Sequence, residues 1–336
     1  MSSISQSRRR FLQTSAAGLG ALSGWTALGS GSSSAASDRK TDKVRLTWGP
    51  SGGLTLIAKE RGVFEKALVD QGLSVEWIGP FPNHAPTLQA VTGGSADFSF
   101  GGSTTPALAA ILAGSPLLFT QFLTYKPRTT AIIAKDGSGI NTVADLVGKS
   151  VAVNRSGLGE FLLVAALEKN NIDRDKVHFV YLNPPDAAPA LASGKVDAWS
   201  MWSPGVDIAR VEYQAHDIFL EERDLEFQID FTTWLTSRSF AADNPGIVRA
   251  VNAGFAAEAL WANAHPEEAE RIAQGSNPPR YSDAVRDHFL SLRRRYDISP
   301  VTDKAFVARL QQATDWLVAR KVLPESLVVA DQLVKL

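Results

Sequence analysis

Residues 150–170 read SVAVNRSGLGEFLLVAALEKN, and this stretch decides the fold class. Ser150–Asn154 is a short apolar run typical of a buried strand, and Leu158–Asn170 repeats apolar residues at helical spacing. Small polar residues and glycine join the two. A strand that runs through a polar loop into a helix is the repeating unit of an α/β fold.

The same order recurs on both sides of this stretch. Further strands are predicted at Val44–Trp48, Leu73–Ile78, Phe98–Phe100, Leu117–Leu123, Thr130–Lys135, Val177–Leu182 and Val196–Trp202. Helices are predicted at Leu54–Arg61, Thr87–Val91, Pro106–Ala113, Thr142–Val147 and Ala187–Ala192, and from Phe231 the chain is expected to be helical to its end. The pattern predicts mostly parallel sheets flanked by helices.

Two segments one hundred residues apart resemble each other. Residues 90–98 and 190–198 both read as a helix end, a glycine stop, an aspartate and a strand. Any helix-to-strand turn can have this form, and two similar α/β lobes would also produce it. The pattern leaves both interpretations open.

Composition limits the classes of function. The 336 residues are 44% hydrophobic and 21% charged, which is typical of a soluble globular protein of about two domains. A net charge of -1 gives no reason to expect nucleic acid as a partner. Cysteine is absent, which excludes disulfides and a thiol nucleophile, and the five histidines lack metal-ligand spacing. We predict no metal, no cofactor and no catalytic residue.

Residues 1–37 have the features of an export signal. Arg8, Arg9 and Arg10 are followed by Phe11-Leu12, a weakly apolar stretch to Gly29, and small residues at 34–36. We expect export through the twin-arginine translocase to the periplasm as a soluble protein without a lipid anchor. The alternative interpretation is a basic disordered tail.

Three loops that lead from a strand into a helix are rich in small polar residues. They are Gly49–Gly53, Gly101–Thr105 and Asn154–Gly159. In a parallel sheet all three lie at the carboxyl ends of strands, where α/β folds bind ligands. Helix N-termini expose unpaired N–H groups, and Ser or Thr adds hydroxyl donors, so such loops suit an oxyanion. Each loop alone more often serves as a turn or helix cap.

Aromatic and charged residues near these loops are further candidates. Trp199 and Trp202 are expected to face opposite sides, one in the core and the other beside a ligand. Arg155 could pair with an anion or be solvated. The runs Glu221–Asp224 and Arg293–Arg295 are interpreted as solvated faces.

Several segments resemble the aliphatic sulfonate, taurine and nitrate-binding proteins of ABC importers. The resemblance lies in residues 53–64, 97–103, 142–153, 194–204 and 237–245, and it covers about residues 44 to 275. It implies a two-lobe, type II periplasmic binding protein fold, each lobe a mostly parallel sheet flanked by helices. Lobe one would comprise residues 38–125 and 230–336, and lobe two residues 126–229. The crossings would lie near Leu123–Arg128 and Gln228–Thr232.

The resemblance also implies a ligand held between the lobes. The expected ligand-binding residues are Ser51, Gly52, Ser103, Thr104, Arg155, Ser156, Gly157, Trp199 and Trp202. Ser203 stands where the family has an aspartate, which argues against an amine-bearing ligand such as taurine. We expect an alkyl or aryl sulfonate or a similar small oxyanion as the solute, an inner-membrane permease as partner, and a monomer.

Two alternatives differ in class. Binding proteins for the thiamin pyrimidine precursor or riboflavin resemble this fold too, and aromatic stacking on tryptophan would suit those ligands. Aryl sulfinate desulfinases share the fold but use a cysteine nucleophile, which this chain lacks. An unrelated hydrolase is the remaining enzymatic alternative.

Overall fold

The computed structural model describes residues 40–50, 53–155, 157–275 and 281–336. The predicted export signal, residues 1–37, lies outside the described residues. No helix within the described ranges is both long and apolar enough to cross a membrane.

The first part of the chain alternates strands and helices up to residue 126. Its elements are β1 (Lys43–Thr47), α1 (Leu54–Glu60), α2 (Val63–Val69), β2 (Ser74–Ile78), α3 (His84–Thr92), β3 (Gly102–Ser103), α4 (Thr104–Leu112) and β4 (Leu117–Lys126).

The central part forms a second alternating series. Its elements are β5 (Ala131–Lys135), β6 (Ser150–Val153), α5 (Leu158–Lys169), β7 (His178–Tyr181), α6 (Pro184–Ala192), β8 (Ala198–Met201), α7 (Gly205–Glu212), β9 (Ala215–Leu220) and α8 (Glu221–Asp224). The segment predicted as a helix at 142–147 is a 3₁₀ turn at Val143–Leu146, and a second 3₁₀ turn, Arg174–Lys176, comes shortly before β7.

The last part returns to the first sheet. Its elements are β10 (Thr232–Ser237), α9 (Arg238–Asp243), α10 (Pro245–Ala264), α11 (Pro266–Gln274), α12 (Asp283–Leu292), β11 (Arg295–Pro300) and α13 (Lys304–Ala319), with a 3₁₀ turn at Val329–Gln332. The expectation of helix alone after Phe231 is therefore wrong, because β10 and β11 flank β4 as antiparallel neighbours.

Two sheets organise the described chain. In the first, β1 and β2 pair in parallel, and single bridges at Phe98 connect β1 to the order β11-β4-β10-β3. In the second, the order is β7-β6-β8-β5-β9. The α/β fold class is confirmed.

The prediction of mostly parallel sheets is corrected to mixed sheets. Strand β5 pairs antiparallel with β8 and β9, and β10 pairs antiparallel with β3 and β4. Strands β4 and β5 lie in different sheets and are joined by residues 127–130 without a helix. Both of these strands run antiparallel to the strands they pair with.

Aromatic side chains fill both faces of the first sheet. On one face, Phe64 of α2, Trp234 of β10 and Phe255 of α10 pack against one another. On the opposite face, Phe122 of β4 stacks on Phe306 of α13. Each fully buried side chain of this size contributes roughly 1.5–3 kcal/mol to the free energy of unfolding. Helix α5, which packs mainly on the second sheet, also places side chains in the Phe306 cluster, so apolar packing connects the two sheets.

The similarity at an offset of one hundred residues has a structural counterpart. Asp97 exchanges hydrogen bonds with the backbone of Arg45 in β1, and Asp197 does the same with Ser150 in β6. In each case the carboxylate accepts the neighbour's N–H, and the aspartate's own N–H donates to the neighbour's carbonyl. Of the two interpretations left open, the equivalent geometry favours two similar α/β units.

Candidate functional site

Gly49 of the first loop and Gly101 of the second lie so close to neighbouring groups that only glycine fits at either position. A Cβ on Gly49 would lie 2.3 Å from the Phe81 carbonyl oxygen, and one on Gly101 would lie 2.9 Å from the Trp234 ring. At both positions the backbone therefore lies directly against a neighbouring segment. Ser51 and Gly52, both predicted ligand contacts, lie outside the described residues.

His84 supports the second loop from beneath. Its Nδ1 lies 2.8 Å from the Ser103 carbonyl oxygen and its Nε2 lies 3.2 Å from Ser99 Oγ. Burial lowers the pKa of His84 to about 4, so the imidazole is neutral at pH 7. Gly102 lies against the ring, where a Cβ would come within 2.3 Å of it. Ser103, a predicted ligand contact, is consequently held in place and is partly exposed.

The N-terminus of α4 is occupied by a carboxylate of the chain itself. Asp230 Oδ1 accepts hydrogen bonds from Thr104 Oγ1 at 2.7 Å, Thr105 N at 3.0 Å and Thr105 Oγ1 at 3.1 Å. Burial raises the pKa of the Asp230 carboxyl, and hydrogen bonds from Thr104, Ser103 and Thr105 oppose that rise. The structure places Thr104, at 1% exposed, under Asp230 rather than on an open surface. The predicted ligand contact of Thr104 is therefore corrected to a capping role.

The third loop is stabilised by Asn154. Its Oδ1 accepts the N–H of Gly159 at 3.0 Å, and its amide lies where a Cβ on Gly157 would have to sit. Gly157 is partly exposed. Arg155 is exposed, and its guanidinium lies over the Tyr181 ring at 3.7 Å from the centroid. Ser156 lies outside the described residues.

The two tryptophans differ in burial, as expected. Trp199 is 2% exposed and packs with Ile133 and Leu191 in the core of the second sheet. The structure therefore gives Trp199 a packing role, and its predicted ligand contact is not retained. Trp202 is partly exposed and lies just past the carboxyl end of β8, so it remains the candidate of the pair.

Where the chain passes between the sheets, a row of hydroxyl groups begins at Ser103. Ser103 is paired with Thr232 across β3 and β10, so both side chains lie on the same face of the sheet. Thr232 Oγ1 lies 3.2 Å from the hydroxyl of Tyr125, which is 38% exposed near the end of strand β4. We call Ser103, Thr232 and Tyr125 the hinge row.

Arg294 extends this row to the second sheet. Its Nη2 donates to Ser203 Oγ at 2.5 Å, directly after Trp202, and lies 3.5 Å from Asp207 Oδ2. Its charge also lowers the pKa of Tyr125, against the larger rise caused by desolvation. The Arg294 side chain is 19% exposed, so the interpretation of Arg293–Arg295 as a solvated face is wrong for its middle residue.

Asp207 is contacted by residues from several parts of the chain. It is fully buried on α7 and is contacted by Thr129, Arg210, His288 and Arg294. Burial raises the pKa of its carboxyl, but hydrogen bonds from His288 and Ser203 and the nearby arginine charges outweigh that effect and lower it. This carboxylate is therefore ionised, and both of its oxygens already have partners within the protein.

The interpretation of Glu221–Asp224 as a solvated face is wrong for Glu221. It is 2% exposed, accepts the N–H of Ile229, and lies 3.6 Å from Arg128. Burial raises its pKa to about 7 although the Arg128 charge opposes this. Nothing in the local pattern of Glu221–Asp224 distinguishes it from its exposed neighbours, because its burial depends on the distant return of the chain at Ile229.

The polar groups around the hinge row are mainly donors. Serine, threonine and tyrosine hydroxyls and one guanidinium are partly exposed there, while Asp207 and Asp230 already hold several donors each. Such a set can hydrogen-bond an oxyanion. Within the described ranges, no cluster of three His, Cys, Asp or Glu residues could hold a metal ion.

The chain is similar to several known proteins. A protein of Escherichia coli K12 named "Putative aliphatic sulfonates-binding protein" is 29% identical over 83% of this chain and 84% of its own length. The structure is similar to that of the periplasmic aliphatic sulphonate binding protein SsuA from Escherichia coli, with a TM-score of 0.78 and 23% identity, covering 88% of this chain and 93% of the other.

A structure of DSZB, in a cysteine-to-serine mutant bound to biphenyl-2-sulfinic acid, has a TM-score of 0.64 at 18% identity and covers 87% of this chain and 96% of the other. Both structural similarities concern the fold. The family model described as NMT1/THI5 like matches residues 53–269. The chain belongs to the NMT1/THI5-like family.

Proposed function

We propose that this protein is an exported solute-binding protein that captures an organic sulfonate, alkyl or aryl, for an ABC importer. The observation that carries the proposal is the hinge row, whose hydroxyl groups are partly exposed, with the Arg294 guanidinium near enough for its charge to act on Tyr125. The nearby carboxylates of Asp207 and Asp230 already accept several hydrogen bonds each. A sulfonate presents three oxygen acceptors and one negative charge. Its chemistry therefore complements this set of donors.

The relatives support a sulfonate over other oxyanions. The Escherichia coli relative, which aligns with most of this chain, is named for aliphatic sulfonates, and the similar SsuA structure is of a periplasmic protein. Ser103, Gly157 and Trp202 are the predicted contacts that remain among the described residues, with Arg155 at the rim. Ser51, Gly52 and Ser156 complete the proposed site.

In this proposal the two sheets are the cores of two lobes. Residues 38–125 and 230–336 form one lobe, residues 126–229 form the other, and closure is a hinge motion about the crossings. Asp230 and Arg128 belong to those crossings. The permease at the inner membrane would recognise the closed form of a monomer.

Residues 1–37 are proposed to direct the chain to the periplasm through the twin-arginine translocase. The protein performs no chemistry in this proposal. The similar DSZB fold raises the enzymatic alternative, but the present chain has no cysteine to serve as a thiol nucleophile.

A thermal-shift screen tests the proposal. Alkyl and aryl sulfonates, sulfate, nitrate, riboflavin and the thiamin pyrimidine precursor would each be added to the purified protein. A ligand at about 100 times its dissociation constant adds about 2.7 kcal/mol to the free energy of unfolding and raises the melting temperature by several degrees. Shifts with sulfonates support the proposal. Shifts with riboflavin or the pyrimidine alone would replace the sulfonate by an aromatic vitamin precursor, and turnover of an ester or sulfonate would indicate an enzyme.

A further inference from the structure

Helix α8 contacts both crossings between the proposed lobes. The N–H of Glu221 donates to the carbonyl oxygen of Thr130, just after the first crossing, at 2.9 Å. Its Oε1 accepts the N–H of Ile229, in the second crossing, at 3.2 Å. The next residue, Glu222, accepts the N–H of Arg128 at 2.7 Å. This short helix therefore holds the two crossings side by side.

The ion pair between Glu221 and Arg128 is only partly formed. Arg128 Nε lies 3.6 Å from Glu221 Oε2, which is beyond hydrogen-bond distance. This nitrogen is buried and has no hydrogen-bond partner among the described residues. A buried donor without an acceptor is unfavourable, and a small displacement of the first crossing would bring it within reach of the carboxylate. The pair therefore has two accessible arrangements, a loose one and a closed one.

The charged groups that face Glu221 come from both crossings, from β4 and from α8 itself. Burial raises the pKa of Glu221 to about 7, and the charges of Asp230 and Glu222 act in the same direction. The Arg128 charge opposes this rise. The Glu221 charge in turn raises the pKa of Tyr125, at the end of β4. Glu221 consequently gains or loses its proton near neutral pH.

A rotation of the lobes would move the partners of this carboxylate. Arg128 and Ile229 lie in the crossings, and a hinge motion is absorbed by changes in the backbone dihedral angles of such residues. An ionised Glu221 favours the closed contact with the guanidinium, whereas a protonated Glu221 loses most of that attraction. The protonation of Glu221 and the angle between the lobes are therefore coupled.

We propose that Glu221 is a proton-sensitive element of the hinge, whose protonation shifts the balance between the open and closed lobes and so couples solute binding to pH. This inference rests on the proposed function for the two moving lobes and goes beyond it by adding a regulatory role. Because such coupling is reciprocal, binding of the solute changes the number of protons held by the protein.

Isothermal titration calorimetry of ethanesulfonate at pH 7, in two buffers of different ionisation enthalpy, counts the protons exchanged on binding. Ethanesulfonate does not titrate near this pH, so an exchanged proton comes from the protein. We expect the wild type to exchange a fraction of a proton, and its dissociation constant to change at least about threefold between about pH 6 and pH 8. Tighter binding at the higher pH would assign the closed Arg128–Glu221 contact to the liganded form, and tighter binding at the lower pH to the open form.

Three variants assign the effect to Glu221. Glu221→Gln cannot ionise, so it should lose the proton exchange and most of the pH dependence of affinity. Glu222→Gln is the matched control, since it lies next to Glu221, is exposed, and keeps an oxygen for the Arg128 N–H. It should exchange protons like the wild type. Arg128→Met removes the opposing cation and should shift the pH dependence to higher pH.

The angle between the lobes can be followed without a ligand. The chain has no cysteine, so Gln89→Cys and Lys195→Cys introduce two spin-label sites at exposed positions, one in each proposed lobe. We expect the distribution of label distances, measured by double electron–electron resonance, to shift between about pH 6 and pH 8. Adding Glu221→Gln to the labelled protein should remove that shift.

The outcomes separate this inference from the proposed function. If wild type binds ethanesulfonate without exchanging protons, or if Glu221→Gln exchanges them as wild type does, the role of Glu221 is overturned while the sulfonate site stands. If ethanesulfonate does not bind, the sulfonate site is overturned, and the label distances decide the role of Glu221. Distances that do not change with pH would then contradict it.

Discussion

Thr104 Oγ1 lies 2.7 Å from Asp230 Oδ1, so a carboxylate of the second crossing caps the helix that follows the second loop. The N–H group and hydroxyls that an incoming anion would need at α4 are already used. Only Ser103, one residue earlier, remains partly exposed. Because of this contact, we place the proposed anion site at the hinge row and not at the N-terminus of α4.

Replacing Asp230 should reveal how much the cap stabilises the fold. Asp230→Ala leaves the donors of Thr104 and Thr105 buried without an acceptor, and we expect a loss of about 2–4 kcal/mol in the free energy of unfolding. Asp230→Asn retains one acceptor oxygen and is the matched control, with an expected loss of about 1 kcal/mol. Urea unfolding measures both. Equal losses would contradict the cap.

The buried imidazole of His84 should make stability depend on pH. Its folded pKa, about 4, is below the ordinary 6.5, so below pH 6.5 the unfolded chain binds a proton that the folded chain does not. The stabilisation is present above pH 6.5 and is lost as pH falls towards 4, by up to about 3 kcal/mol. His84→Gln should remove this part of the profile. Parallel pH profiles for the two proteins would show that His84 is not buried as a neutral group.

Glu221 should make the free energy of unfolding depend on pH in the opposite direction to His84. Its folded pKa, about 7, is above the ordinary 4.5, so the folded chain holds a proton that the unfolded chain has released. The stabilisation is present below pH 4.5 and is lost as pH rises through 7, by up to about 3 kcal/mol. Glu221→Gln should therefore gain stability relative to wild type between pH 5 and 8, measured by urea unfolding. A constant difference over that range would contradict the assignment.

Gly102 provides a steric test of the second loop. In Gly102→Ala the new Cβ meets the buried His84 ring, and we expect a loss of about 1–3 kcal/mol together with weaker sulfonate binding. Gly93→Ala is the control, since its Cβ would come only within 3.2 Å of the Gln89 carbonyl. Thermal unfolding and calorimetry give the two readouts. An unchanged sulfonate affinity in Gly102→Ala would show that this loop is not part of the binding site.

Much of the fold followed from local pattern. Segments such as Leu158–Lys169 carry apolar residues at a helical period bounded by glycine and asparagine, and their predicted bounds agree with the structure within one residue. Strand β11 could not be found this way. Its sequence, Arg295–Pro300, alternates poorly and becomes a strand because β4 offers it an antiparallel edge.

The candidate site was predictable only in part. The small-residue loops were recognised because glycine and serine at a strand end have a direct physical meaning. The partners of those residues were not predictable, since Asp230 reaches Thr104 from 126 positions away and Arg294 reaches Ser203 from 91 positions away. Likewise, whether Trp199 or Trp202 is buried depends on which face of β8 meets the core.

The most direct test of the central claim is a calorimetric titration of ethanesulfonate into wild type and Thr232→Val. We expect saturable one-site binding by wild type and binding about tenfold weaker in Thr232→Val, which removes one hydroxyl from the hinge row. Thr124→Val, on a neighbouring strand and outside the row, should bind like wild type. Absence of binding by wild type, or equal affinities in all three proteins, would contradict a sulfonate site at the hinge row.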